Sequence, residues 1–125
     1  MPKKLLIVDD SATSRQILRN HISRFRRDWS IFESDNGFDA IEMVEMVNPD
    51  CITMDVNMPN MSGLEAAEKI LAMNPNIRIV LVTANMQEPV RHRAMELGMG
   101  FVEKPVNEES VSRALKFIET AVTHA

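Results

Sequence analysis

Acidic side chains end two of the apolar runs in this sequence. Asp9 and Asp10 close the first run, and Asp55 closes the third. If these runs are neighbouring strands of a parallel sheet, the three carboxylates meet at its carboxyl edge, where such sheets bind ligands. They repel one another there unless protons or a cation neutralise them. An all-oxygen cluster open to water is what Mg²⁺ accepts, so we expect a magnesium site.

Two further polar residues end later apolar runs. Thr83 follows the fourth run and Lys104 the fifth, and both reach the same edge in the strand order 2-1-3-4-5. A cation, an ammonium group and a hydroxyl around one carboxylate can hold a tetrahedral phosphate dianion against it. Asp55 is therefore predicted to be a nucleophile that takes up a phosphoryl group as an acyl phosphate. Such a transfer needs mainly positioning and charge neutralisation.

The elements that must position these residues alternate between strands and helices. Apolar runs predict strands at residues 5–8, 31–34, 51–54, 77–82 and 101–102. Helical spacing predicts helices at about residues 14–26, 64–73, 89–97 and 108–123, and a further helix between Gly37 and Asn48. The strands are too apolar to have a solvent-exposed face, so helices must cover the sheet on both sides. The predicted fold is one doubly wound α/β domain with five parallel strands, over residues 1–125.

Residues at the helix ends predict where the helices begin. Thr13 and Gln16 can form a capping box at the first helix, Pro89 fits the first turn of the fourth, and Asn107 can cap the fifth. The stripe of the first helix that faces the core is predicted to contain Ile17, Leu18, Ile22 and Phe25. That of the last helix is predicted to contain Val111, Leu115, Ile118 and Val122.

The composition limits the classes of function. The 125 residues suit one domain, and no window has the roughly 18 consecutive apolar residues of a membrane span. The start does not fit a signal peptide and the one cysteine, Cys51, cannot form an internal disulfide, so we expect a cytoplasmic protein. The net charge of -4 argues against a nucleic-acid binder. The basic residues of the first helix form a solvated face or a docking surface for an acidic partner: Arg15, Arg19, Arg24, Arg26 and Arg27.

Methionine is abundant, with 10 residues in the chain. Met43 and Met95 are expected to fill the core. Met58, Met61 and Met86 fall in loops beside the expected site, where they either fill gaps or belong to an adaptable protein interface.

At the strand ends the sequence resembles the receiver domains of bacterial two-component response regulators, especially the single-domain, CheY-like chemotaxis type. The resemblance covers essentially the whole chain and is carried by the ordered segments LLIVDD, DVNMPNMSG, VLVTA and FVEKP. It implies a flavodoxin-like (βα)5 fold and a phosphorylation-activated switch, not an enzyme with a separate substrate. The phosphoryl donor would be a histidine kinase or a phosphotransfer protein, and the output a changed affinity for a target protein, with chemotaxis as one open pathway.

The resemblance also assigns roles in the metal site. Asp10 and Asp55 would bind Mg²⁺ directly, together with the backbone carbonyl of Asn57, and Asp9 would act through metal-bound water. Other positions would serve the phosphoryl group: Thr83 and Lys104 as contacts, Ala84 as the small residue that leaves access, Asn57 and Asn85 as residues that tune its lifetime, and Pro105 after a cis peptide bond.

Phosphorylation in such domains shifts a population between two arrangements. The resemblance implies that Thr83 moves toward the phosphate and that an aromatic residue on the fifth strand, here Phe101, turns inward. Many chemotaxis-type receivers have tyrosine at this position, so Phe101 keeps the rotamer change and lacks the hydroxyl. The target would bind the face formed by the fourth helix, the fifth strand and the fifth helix.

Other classes of protein fit the sequence less well. A phosphatase of the haloacid-dehalogenase type needs a second aspartate two residues after its nucleophile, and Asn57 stands there. A nucleotide-binding domain needs a glycine-rich motif after the first strand, which the sequence lacks. A receiver-like interaction module that is not phosphorylated would have lost an acid or the lysine, and all of them are present.

Overall fold

The computed structural model describes residues 3–120. Strands and helices alternate along the chain in the order predicted. The strands are β1 (Lys4–Val8), β2 (Ser30–Ser34), β3 (Cys51–Asp55), β4 (Arg78–Thr83) and β5 (Gly100–Glu103). The helices are α1 (Ala12–Phe25), α2 (Gly37–Val47), α3 (Gly63–Met73), α4 (Glu88–Glu96) and α5 (Glu108–Glu119).

The five strands form one parallel sheet in the order β2-β1-β3-β4-β5. This confirms the predicted doubly wound fold and its strand order. All five residues of the central strand β3 are buried, including its terminal acid. A central strand that is buried on both faces has no solvated side, and this is why its sequence is an unbroken apolar run.

Each face of the sheet packs into its own core. Leu6, Ile52 and Leu81 point to the side covered by α2, α3 and α4. Leu5 and Val80 point to the opposite side, covered by α1 and α5. Successive strand residues alternate between the two faces, so one short run supplies both cores. Each fully buried leucine or isoleucine contributes roughly 1.5–3 kcal/mol by leaving water, so the strands are fixed firmly enough to position the residues at their ends.

The first helix begins earlier than predicted. Its N-cap is Ser11, whose Oγ accepts a hydrogen bond from the backbone N–H of Ser14 at 3.2 Å. The predicted capping box of Thr13 and Gln16 is therefore wrong, because the chain already enters the helix at Ala12. Residues 11, 13 and 14 are all serine or threonine, which are favoured at the N-cap, so the residue type alone did not distinguish Ser11 from Thr13.

The other predicted helix starts are confirmed. Asn107 caps α5, its side chain accepts from the backbone N–H of Ser110, and the Ser110 hydroxyl completes a capping box. Pro89 lies in the first turn of α4. The last helix was predicted to continue to residue 123, but α5 ends at Glu119, and Thr120 is its C-cap with an extended backbone. The predicted inward position of Val122 lies outside the described residues.

Several apolar residues are less buried than predicted. Ile17 and Phe25 are 43% and 39% exposed, whereas Leu18 and Ile22 form the buried part of α1. Ile17 precedes Leu18 by one residue, about 100° around the helix, which turns it away from the sheet. Within residues 3–120, no helix is both long and apolar enough to cross a membrane.

Of the two methionines predicted to fill the core, Met43 packs against it and Met95 does not. Met95 is 62% exposed on α4 and does not fill the core, while Met43 is half-buried against it. Met61 is only 4% exposed and belongs to the core, which excludes it from a surface interface. Met58 and Met86 are half-buried. Loop position alone did not indicate which of these side chains turn inward.

Candidate functional site

The carboxyl ends of four strands bring the predicted site residues together. Asp9 and Asp10 follow β1, Asp55 ends β3, Thr83 ends β4 and Lys104 follows β5. Because β1 pairs with β3, β3 with β4 and β4 with β5, all four ends lie at one edge of the sheet. Topology therefore assembles the site from segments that are distant in sequence.

The three acids form a compact cluster. Each offers a carboxylate oxygen within 4.8 Å of the other two. Asp9 and Asp55 are buried, at 6% and 5% exposure, while Asp10 is exposed. The cluster is thus closed toward the core and open to water on the Asp10 side.

Lys104 is the cation of this cluster. Its Nζ lies 3.1 Å from Asp9 Oδ2, to which it donates a hydrogen bond, and 3.8 Å from Asp55 Oδ1. The Lys104–Pro105 peptide bond is cis, and the backbone N–H of Lys104 donates to the Thr83 carbonyl at 2.8 Å. These contacts hold the lysine at the carboxyl edge.

Asp55 is a perturbed carboxyl group. Burial raises its pKa to about 6, and the neighbouring Asp9 carboxylate acts in the same direction. Lys104 and a hydrogen bond from the backbone N–H of Asn57 oppose the rise in pKa. The surroundings of this carboxyl group disfavour its ionised form. A cation or a bound group that neutralises the negative charge of the site is therefore stabilising there.

The donor set fits a small divalent cation. Three carboxylates against one ammonium group leave a formal charge of −2. The ligand atoms are oxygens, and the exposed Asp10 leaves room for water in the coordination shell. Mg²⁺ prefers this combination of a few carboxylates and retained waters.

Thr83 is fully buried, and its hydroxyl is engaged with two asparagines. Thr83 Oγ1 accepts from Asn57 Nδ2 at 3.3 Å and from the backbone N–H of Asn85 at 3.2 Å, and it also lies 3.4 Å from the Asn85 carbonyl. The structure therefore places Thr83 at the edge of the site with its donor directed to its own loop. Asn57, Ala84 and Asn85 are exposed around it.

Asp9 is held by contacts that the sequence analysis missed. The backbone N–H of Ser11 donates to Asp9 Oδ1 at 2.9 Å, and Arg15 Nη1 donates to the Asp9 carbonyl at 2.7 Å. The backbone N–H of Asp9 in turn donates to the Ser34 carbonyl. The usable signal was Ser11, a capping residue that directly follows the paired acids.

The loop after Asp55 approaches the strand end very closely at Gly63. A Cβ on Gly63 would lie 1.9 Å from the Asp55 carbonyl oxygen, far inside contact distance. The backbone N–H of Gly63 donates to the Val56 carbonyl at 2.9 Å, which closes the loop. Glycine is therefore required here for space, and the loop returns across the backbone of the acidic residue.

Phe101 lies on β5, away from the carboxylates. It pairs in the sheet with Leu81 and is half-buried. The Arg91 guanidinium carbon of α4 stands 5.3 Å from the centre of its ring, a cation–π distance. The structure thus places Phe101 between the core and the surface of α4.

The chain is similar in sequence to known proteins. A family model described as the response regulator receiver domain matches residues 5–116. The chemotaxis protein CheY of Thermotoga maritima is 34% identical over 116 residues, which cover 92% of this chain and 96% of that protein.

Two solved structures are similar in fold. A DNA-binding response regulator of the LuxR family from Staphylococcus aureus is 29% identical, with a TM-score of 0.82, over 94% of this chain and 99% of that chain. A chain of the CheX-CheY-BeF3-Mg+2 complex from Borrelia burgdorferi has a TM-score of 0.86 and 23% identity, over 97% of this chain and 92% of that chain.

Proposed function

The chain belongs to the response regulator receiver domain family, and we propose that it accepts its phosphoryl group on Asp55. Members of this family are phosphorylation-activated switches of two-component systems that act by binding partner proteins. Residues 1–125 then form one receiver domain. The observation that carries the proposal is the buried Asp55 carboxyl at the end of the central strand, which clusters with Asp9 and Asp10 and lies 3.8 Å from Lys104 Nζ.

The transfer step needs an ionised carboxylate as nucleophile. An Asp55 oxygen forms a bond to phosphorus while the bond from phosphorus to the histidine nitrogen of the donor breaks. The electron pair of that bond stays on the imidazole, which leaves and takes up a proton. With a pKa of about 6, Asp55 is largely ionised at neutral pH and is ready for this step.

The carboxylate cluster supports a role for Mg²⁺. Asp10 and Asp55 would hold the ion directly with the Asn57 carbonyl oxygen, and Asp9 would hold it through water. When bound, Mg²⁺ supplies positive charge that offsets the negative charge of the cluster and of the phosphoryl oxygens. The surplus of carboxylates over ammonium groups supports this assignment.

Lys104 and Thr83 would contact the phosphoryl oxygens. Lys104 is already 3.8 Å from Asp55 Oδ1, so its ammonium group can pair with a dianion bound there. Thr83 must first exchange its contacts with Asn57 and Asn85 for the phosphoryl group. This exchange couples phosphorylation to the end of β4 and the following loop. Exposed Ala84 leaves space for the group.

The switch would reach partners through Phe101. When Thr83 moves toward the phosphate, Phe101 turns inward and changes the surface formed by α4, β5 and α5. A histidine kinase or a phosphotransfer protein donates the phosphoryl group, and a target protein reads that surface. The similarity to chemotaxis proteins named CheY supports a chemotaxis target, and the net charge of -4 disfavours direct binding to nucleic acid. Asn57 and Asn85 would control the access of water to the acyl phosphate.

Intact-protein mass after incubation with a small phosphoryl donor and Mg²⁺ tests the proposal. We expect the protein to gain one phosphoryl group, and we expect both Asp55→Asn and a chelator to abolish the gain. Asp35→Asn is the matched control, because Asp35 follows β2 at the same edge of the sheet and is exposed. A folded protein that gains no phosphoryl group would favour an interaction module that works without phosphorylation.

A further inference from the structure

A recess lies beside the acidic cluster, between the end of β2 and the length of α2. Its volume is about 480 Å³. We call it the β2–α2 cleft and define it by the residues that carry the inference: Glu33, Ser34, Asp35, Asp39, Glu42 and Met46. None of these residues has a role in the phosphoryl chemistry proposed above.

The β2–α2 cleft carries uncompensated negative charge. Helix α2 contains Asp39 and Glu42 and has no lysine or arginine. Asp35 and Asp39 both accept hydrogen bonds from the Asn36 side chain, at 2.7 and 3.0 Å, and this neutral amide cancels no charge. Glu33 is different, because Arg15, which also lines the cleft, and Arg19 bind its two oxygens, so the uncompensated charge is that of Asp35, Asp39 and Glu42.

A buried hydroxyl in the wall of the β2–α2 cleft is unpaired. Ser34 is 7% exposed, and its Oγ has no hydrogen-bond partner among residues 3–120. Buried hydroxyls in folded proteins are normally paired, so an unpaired one in a cleft marks a position for a ligand donor or acceptor. Because the neighbouring groups are carboxylates, the complementary ligand group is a hydrogen-bond donor, and Ser34 Oγ then acts as an acceptor.

The carboxylates are too widely spread for a small metal ion. Within residues 3–120, the cluster of acids whose oxygens converge within 4.8 Å is Asp9, Asp10 and Asp55, and the cleft residues do not form one. A guanidinium group has five N–H donors in a fixed plane and can bridge separated acceptors.

Apolar surface borders the same acids. Met46 is 79% exposed and forms one wall of the cleft, and Phe38 on α2 is 55% exposed. Phe38, Glu42 and Met46 are spaced four residues apart, so they share one face of the helix. An arginine side chain has an apolar stem below its charged head and matches such a surface.

We propose that the β2–α2 cleft docks an arginine side chain from a basic segment of a partner protein. The guanidinium group donates to Asp39, Glu42 and Ser34 Oγ, and the arginine stem packs on Met46. Adjacent apolar residues of the segment pack on Phe38. This docking surface lies on α2 and is separate from the α4–β5–α5 face.

The proposal is tested with the whole ¹⁵N-labelled protein and a blocked peptide, acetyl-Leu-Arg-Ala-Leu-Arg-amide. Amide signals of Ser34, Asp35 and α2 should shift along one saturable curve. The same peptide with citrulline in place of arginine keeps the shape and loses the charge. Its affinity should be at least about tenfold weaker, the size expected for lost hydrogen bonds to charged groups.

Single substitutions test whether the peptide binds this cleft or any acidic surface of the protein. Glu42→Gln, in the middle of α2, should weaken the arginine peptide about tenfold, and Ser34→Ala should weaken it several-fold. Glu109→Gln, in the first turn of α5, is the matched control and should leave the affinity unchanged. Shifts of equal size across all acidic surfaces, equal binding of the citrulline peptide, or unchanged binding by Glu42→Gln would each overturn the proposal.

Discussion

Lys104 Nζ contacts Asp9 at 3.1 Å and approaches Asp55 to 3.8 Å, so one ammonium group links the acids of β1 and β3. Asp9 and Lys104 are 95 residues apart in the sequence, and the parallel sheet brings them together. The lysine offsets part of the repulsion between the acids and leaves the cluster negative. In the proposed function, this partial neutralisation would leave room for a divalent cation, and Lys104 would direct a positive charge toward the phosphoryl group.

Replacing Lys104 should separate its effect on Mg²⁺ binding from its effect on phosphoryl transfer. Lys104→Met removes the positive charge that repels Mg²⁺ beside Asp9 and Asp55. Mg²⁺ should therefore bind about tenfold more tightly, because that ratio corresponds to a modest part of the Coulomb energy between charges near 4 Å apart. Phosphoryl uptake should nevertheless become slower, because the dianion loses its ammonium partner. Calorimetric titration with Mg²⁺ and the time course of phosphorylation measure the two effects. Weaker Mg²⁺ binding by this variant would show that Lys104 does not compete with the ion.

The Asp55 pKa predicts a stability that depends on pH. The folded carboxyl has a pKa of about 6, above its unfolded value, chiefly because it is buried. Such a group stabilises the fold most below the unfolded pKa, and this contribution is lost as the pH rises through about 6. Asp55→Asn should therefore stabilise the metal-free protein at pH 7.5 by about 2 kcal/mol, following the energy of a shifted pKa.

Urea unfolding with a chelator at pH 7.5 and pH 4.5 measures this difference. The advantage of Asp55→Asn should shrink at pH 4.5, where the native carboxyl is largely protonated. An Asp55→Asn protein that is less stable than the native one at pH 7.5 would contradict the raised pKa.

Thr53 offers a test of polar burial beneath the site. It is 1% exposed, and its hydroxyl has no hydrogen-bond partner within the described part of the chain. Thr53→Val removes this unpaired hydroxyl at nearly constant shape and should stabilise the fold by about 1 kcal/mol. Denaturant midpoints at constant m value provide the measurement.

Ser110→Ala is the matched comparison for Thr53→Val. Ser110 is also buried, but its hydroxyl donates to the Asn107 carbonyl and accepts from the Asn107 N–H. Its loss should destabilise the protein by about 1 kcal/mol. If both substitutions destabilise the protein equally, Thr53 is paired in solution.

Gly63 should tolerate no side chain. In Gly63→Ala the new Cβ would overlap the Asp55 carbonyl oxygen, so the loop and Asp55 must shift. We expect a loss of more than about 2 kcal/mol in stability and slower phosphorylation. Gly98→Ala is the control, since Gly98 has φ 72° and nothing within 4 Å of an added Cβ. Gly98→Ala should lower the free energy of unfolding by only about 1 kcal/mol, because alanine is disfavoured in the left-handed conformation. Phosphorylation should be unchanged.

Much of the fold was predictable from the sequence for a physical reason. Strands buried on both faces must be apolar throughout, and that property is visible as short runs such as residues 51–54. The ends of those runs then located the acids and Lys104, since parallel strands share one carboxyl edge. Burial, by contrast, depends on the angle at which each helix meets the sheet. This is why Ile17 was wrongly placed in the core.

Contacts around the site were less predictable. Arg15 binds the Asp9 carbonyl and Glu33, yet by sequence it was one of several arginines on a basic helix. The Thr83 hydroxyl is engaged by Asn57 and Asn85, and no residue pattern distinguishes that orientation from one toward Asp55. Side-chain partners across the loops depend on rotamers, which spacing along the chain does not encode.

The most direct test of the central claim is to locate the phosphoryl group chemically. Borohydride reduces an aspartyl acyl phosphate to homoserine, and tandem mass spectrometry of the digested protein then identifies the residue. After treatment with a small phosphoryl donor and Mg²⁺, we predict homoserine at position 55, and its absence when Mg²⁺ is withheld. Homoserine at Asp9 or Asp10, or phosphate retained on a serine or threonine, would contradict the assignment of Asp55 as the acceptor.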